Sequence, residues 1–260
     1  MRKLLLASAL LVLPALSVYA ADNPWVGTWK LDLAKSNFTG DTFTYTQAEK
    51  GLFHFSDGSA ISYDFGIDGK EYPTPLGYTD IWTAGGNNSW DTVVKLKGTI
   101  VDNVHRQLSA DGKTLTITET GTKPDGSSFH DEEVYNRVGK GQGLIGKWKS
   151  SKVNISAPNT FLVAAPAEGV LRWEIPEYKE TVKGKSDGSD LPIAGPTVPE
   201  GLTISIKMLA DKKLTYTVKM SGKPISVAIQ TLSSDGKTMT EVDWSPGKES
   251  EKSTAVYLKQ

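Results

Sequence analysis

The side chains best suited to proton transfer or metal ligation, His54, His105 and His130, all fall in the first half of this 260-residue chain. An imidazole titrates near neutral pH, and its neutral ring nitrogens ligate zinc or haem iron. Three of them converging with Glu132 would make a metal, haem or acid–base site. In an extended segment alternate side chains share a face. Asn103, His105 and Gln107 therefore point one way, as do His130, Glu132, Val134 and Asn136. The competing arrangement buries Ile100, Val104 and Leu108 and leaves each histidine alone on the surface. Trp82 and Trp90 are the second kind of candidate. They flank the turn Gly85-Gly86-Asn87-Asn88 and offer flat apolar faces that stack on a sugar or an apolar ligand, or else fill a core. The candidate ligand-contacting residues are thus His54, Trp82, Trp90, Asn103, His105, His130 and Glu132.

Other chemistry finds little support. The chain has no cysteine, which removes disulfides, thiolate zinc sites and thiol nucleophiles together. No Gly-x-Ser-x-Gly elbow occurs, and the second half holds no histidine to activate a serine. No catalytic residue is assigned, and the balance leans away from an enzyme. No cofactor is demanded; a metal or haem would have to sit among the histidines of the first half. His130-Asp131-Glu132-Glu133 reads as a solvated strand edge, because successive carboxylates diverge to opposite faces. With 29 basic and 30 acidic residues, nothing favours nucleic acid or an anionic membrane as partner.

The elements that must carry these residues are short strands, arranged twice. Gly27-Thr28-Trp29-Lys30 recurs as Gly146-Lys147-Trp148-Lys149. Leu108-Ser109-Ala110-Asp111-Gly112-Lys113-Thr114 recurs as Leu232-Ser233-Ser234-Asp235-Gly236-Lys237-Thr238, and Val134-Tyr135-Asn136-Arg137 answers Val256-Tyr257-Leu258-Lys259. Three matches in one order, each about 120 residues apart, indicate a duplication. Between Gly139 and Gly143 the chain reads as the linker. Leu214, Tyr216, Val218 and Met220 alternate with polar residues, the period of a half-buried strand, and Asp-Gly and Ser-Gly turns punctuate the runs. At the N-terminus, cationic Arg2 and Lys3, the apolar run Leu4 to Leu16 and small residues up to Ala20 have the layout of a secretory signal peptide. The expected organisation is a signal peptide over 1–20 and two units over 21–139 and 140–260, all-β. Each would be an up-and-down antiparallel barrel, with a curved β-sandwich as the alternative. The expected location is the periplasm or the medium, with no membrane insertion after cleavage.

The Gly-x-Trp opening each unit, the Asp-Gly-Lys-Thr hairpin and the closing basic strand resemble the lipocalin-like (calycin) barrels, in particular small secreted bacterial ones, here as a tandem pair. That resemblance implies that each tryptophan plugs a barrel end under a cation from the last strand, with Trp29 paired to Arg137 and Trp148 to Lys259. It also implies carriage or sequestration of a small apolar or amphipathic molecule. Two alternatives stand beside it: a pair of filled barrels acting as an envelope interaction or stress module, and an enzyme or metal- or haem-binding protein using a polar pocket in the first unit.

Overall fold

The computed structural model describes residues 23–157 and 159–260; the expected signal peptide, residues 1–20, lies outside them. The first half supplies β1 (Gly27–Leu31), β2 (Thr42–Gln47), β3 (Phe53–Ser56), β4 (Ser62–Phe65), β5 (Glu71–Pro73), β6 (Tyr78–Gly86), β7 (Ser89–Leu96), β8 (Thr99–Leu108), β9 (Thr114–Thr122) and β10 (Ser128–Gln142). The second supplies β11 (Ile145–Asn154), β12 (Thr160–Ala167), β13 (Val170–Ile175), β14 (Glu180–Lys185), β15 (Asp187–Pro192), β16 (Leu202–Ala210), β17 (Lys213–Met220), β18 (Lys223–Leu232), β19 (Thr238–Trp244) and β20 (Ser253–Lys259). They form two ten-stranded antiparallel sheets, each curled into a nearly closed barrel. The fold is all-β, as the alternation and turn signals indicate.

The sequence repeat and the barrels are offset by one strand. β1 pairs with β12 and β20, placing Trp29 opposite Phe161 and Lys259. β11 pairs with β10 and β2, placing Trp148 opposite Arg137 and Phe43. The first barrel is therefore β2 to β11, one continuous stretch, and the second is β12 to β20 closed by β1. This corrects the division of the barrels at 139/140. Its cause lies in the glycine stretch, which is not a linker. β10 runs through Gly139 to Gln142 and meets β11 across Gly143-Leu144, with Gln142 opposite Ile145 and Gly143 at φ 57°. So short a turn joins only adjacent antiparallel strands of one sheet. β11 takes the place beside β10, and β1, bearing the same motif, fills the matching place between β12 and β20.

The barrel-end pairs are exchanged accordingly. The Arg137 guanidinium lies 4.1 Å over the Trp148 ring, and the Lys259 ammonium 5.2 Å from that of Trp29, in place of the expected Trp29–Arg137 and Trp148–Lys259. Both tryptophans are fully buried. Their indole N–H groups donate to carbonyls four residues earlier, Trp29 to Trp25 at 2.9 Å and Trp148 to Leu144 at 3.0 Å. The motif glycine is needed because the cation crosses it. At Gly27 and Gly146, with φ near +150°, an added Cβ would lie 2.6 Å from Lys259 Cε and 2.5 Å from an Arg137 guanidinium nitrogen. No side chain larger than hydrogen fits there without displacing the cation.

Candidate functional site

The polar residues singled out in the first half lie on the outside of its barrel. On β8 the buried positions are Val104 and Leu108, while Asn103 and His105 are exposed. His105 Nδ1 faces Asp91 Oδ1 at 2.7 Å, and His54 Nδ1 faces Asp64 Oδ1 at 2.6 Å, each pair across neighbouring strands. Among the described residues exposed His130 makes no hydrogen bond through its ring; its backbone N–H donates to Ser156 Oγ, and Glu132 pairs with Lys152 at 3.0 Å. The grouping by parity holds, since His105 and Glu132 both stand opposite Thr118 of β9. The face they share is the outer one. The corresponding strand of the second unit gives the same outcome against its apolar pattern: on β18 Ile225, Val227 and Ile229 face outward, and Ala228, Gln230 and Leu232 are the buried ones. Among the described residues no group of three or more His, Asp or Glu side chains is placed to hold a metal.

Trp82 does point into the first barrel, where it is packed rather than available. Its ring is fully buried, stacked on Phe65 at 4.1 Å and edge-on to Tyr45 at 6.1 Å. The Arg106 guanidinium lies 4.1 Å above it and donates to Thr92 Oγ1 at 2.7 Å. Half-buried Trp90 packs against the same cluster. Toward one end of this lumen sit the carboxyls of Asp102, Glu119 and Glu133, which burial pushes up to about 6, about 7 and about 7.

The second barrel is built on the same ladder with different occupants. Val104, Thr92 and Trp82 follow one another across β8, β7 and β6, and Ala228, Tyr216 and Ile206 follow one another across β18, β17 and β16. Arg106 opposite Ile117 is answered by Gln230 opposite Glu241. Tyr216, Gln230 and Glu241 of this ladder border a cavity of about 220 Å³, lined also by Phe161, Trp173, Ile204, Val218 and Tyr257 among others, with Glu174 and Glu180 on its wall. One corner is polar. Gln230, 2% exposed, donates from Nε2 to Glu241 Oε2 at 2.6 Å, and its Oε1 has no partner among the described residues. Burial raises the Glu241 carboxyl, against the lowering effect of Gln230 and of the Tyr216 hydroxyl. An apolar pocket with one polar corner can hold a small molecule in a fixed orientation.

Sequence reasoning passed over this pair. The signal was present in the repeat, since Gln230 stands two residues before Leu232 as Arg106 stands two before Leu108. Compared with protein-family models, with curated proteins and with solved structures, the chain matches none of them.

Proposed function

We propose that this is an exported binding protein that carries or sequesters one small apolar or amphipathic molecule in its second barrel. The observation that carries the reading is the contrast between two lumens built on one ladder. Trp82, Phe65, Tyr45 and Arg106 fill the middle of the first, whereas in the second Gln230 and Glu241 stand where the first has Arg106 and Ile117, and border an apolar cavity. The lipocalin-like resemblance belongs to this proposal and draws support from the Gly-x-Trp glycine, tryptophan and cation at each barrel end. Ten strands instead of the lipocalin eight widen the lumen at a given tilt, so medium-sized side chains no longer fill it. Export rests on the layout of residues 1–20. The first barrel serves as a packed support.

Isothermal titration of the full chain with ethylbenzene tests the reading. A single site is expected, and it should be lost in Ile204→Phe, which places a larger ring at a position 5% exposed on the cavity wall. Equal binding by the variant refutes it, as does a chain that binds neither ethylbenzene nor its hydroxylated analogue 4-ethylphenol.

A further inference from the structure

The polar corner bears on what the ligand carries, an inference that rests on the carriage reading above. A buried amide end left without a partner is destabilising, because its desolvation is not offset by a hydrogen bond. Gln230 is held in that condition by its bond to Glu241, and apolar side chains make up most of the surrounding wall. We propose that Gln230 is the recognition point for a hydroxyl, and that the cavity takes a small alkylphenol or aliphatic alcohol whose apolar body lies against Phe161, Trp173 and Val218.

The choice of a hydroxyl follows from the two ways the corner can be protonated. With Glu241 ionised, Gln230 donates to it from Nε2 and leaves Oε1 as a free acceptor. With Glu241 protonated, the state its burial favours, the carboxyl O–H donates to the amide oxygen, the amide is reversed, and its NH₂ becomes the free group. A hydroxyl both donates and accepts, so it satisfies either arrangement. A ketone or ether satisfies only the second. A carboxylate would bring an anion against Glu241, and an ammonium, which only donates, satisfies the first arrangement through Oε1 but not the second. Size follows from volume. An apolar cavity of roughly 150 Å³ holds benzene, so about 220 Å³ admits roughly nine heavy atoms.

The experiment compares 4-ethylphenol with ethylbenzene on the full chain at neutral pH, by titration calorimetry. Water solvates the phenol better, so hydrophobic transfer alone favours ethylbenzene. The expected result is that the phenol binds at least tenfold more tightly. Gln230→Leu should erase the preference. In the unaltered protein, the Gln230 side-chain NH₂ resonances should shift with the phenol and stay in place with ethylbenzene. Equal affinities for the two probes in the unaltered chain, or a preference that survives Gln230→Leu, overturns the hydroxyl assignment and leaves carriage standing. Binding of neither probe overturns carriage itself, and this inference with it.

Discussion

The exchange of first strands can be tested on the intact chain because it contains no cysteine. Lys30 lies opposite Leu258, and Lys149 opposite Asn136. Directly paired residues of antiparallel strands have Cα atoms about 4.5–5.5 Å apart, within the span a disulfide bridges. The double variants Lys30→Cys/Leu258→Cys and Lys149→Cys/Asn136→Cys should therefore oxidise spontaneously in air. The crossed pairs, Lys30→Cys/Asn136→Cys and Lys149→Cys/Leu258→Cys, should keep free thiols, since each joins residues of different barrels. The four positions are on or near the surface, so the substitutions themselves cost little. Loop-closure entropy gives the magnitudes. Closing the roughly 14-residue loop between 136 and 149 stabilises by about 3 kcal/mol, and closing the roughly 230-residue loop between 30 and 258 by about 5 kcal/mol, both as upper values. Thiol titration after denaturation reads the bond, and thermal unfolding with and without reductant reads its stabilisation. Oxidation of the crossed pairs in place of the direct ones would return β1 to β10 and refute the strand assignment.

Two further outcomes follow from the site. The raised carboxyls of Asp102, Glu119 and Glu133 hold their protons more tightly folded than unfolded. Their contribution is whole below about pH 4.5, where the unfolded groups are protonated too, and is lost as pH climbs through 6 to 7. For Glu119, raised from 4.5 to about 7, the loss is on the order of 3 kcal/mol. The melting temperature should fall by several degrees between pH 5 and pH 8, with a smaller fall in Glu119→Gln; a flat profile contradicts this. His105→Ile gives the first unit the residue of the second at the matching place, since Ile229 stands three residues before Leu232 as His105 stands three before Leu108; it should leave ethylbenzene affinity unchanged and shift stability by less than about 0.5 kcal/mol, because the ring is 48% exposed on the outer wall. A loss of binding would place the histidine at a site.

Strand content, turn positions and the duplication were legible in the sequence, because alternation and Asp-Gly turns act within a few residues. So was the set Trp29, Arg137, Trp148 and Lys259, whose residues do meet at barrel ends. Which tryptophan meets which cation was not. β1 and β11 carry nearly the same motif and suit either place, and only the length of the Gly143-Leu144 turn decides between them. The inner face of β8 was also illegible from alternation alone, because its copy on β18 has Val227 and Ile229 on the outer face, in register with Trp244 and Val242 of β19. The polar corner stayed hidden for a related reason. Gln230 and Glu241 read as ordinary surface residues of exposed strands until Leu232 and Met239 fix the inward direction.

The closure of the second barrel by β1 has a mechanical consequence. β1 and β20 lie antiparallel and adjacent, Trp29 opposite Lys259 and Leu31 opposite Tyr257, with the Gln260 N–H donating to the Thr28 carbonyl at 2.9 Å. The chain therefore enters and leaves the second barrel at the same end of one strand pair. Tension applied across the two ends peels that ladder one bond at a time, the weak direction for a sheet, instead of shearing all its bonds together. The barrel that yields is the one with the cavity, and Tyr257 of its wall moves with the peeling strand. The first barrel, a continuous stretch from β2 to β11, bears no load until the second has opened. Pulling on this chain would open the cavity of the second barrel before it disturbs the first.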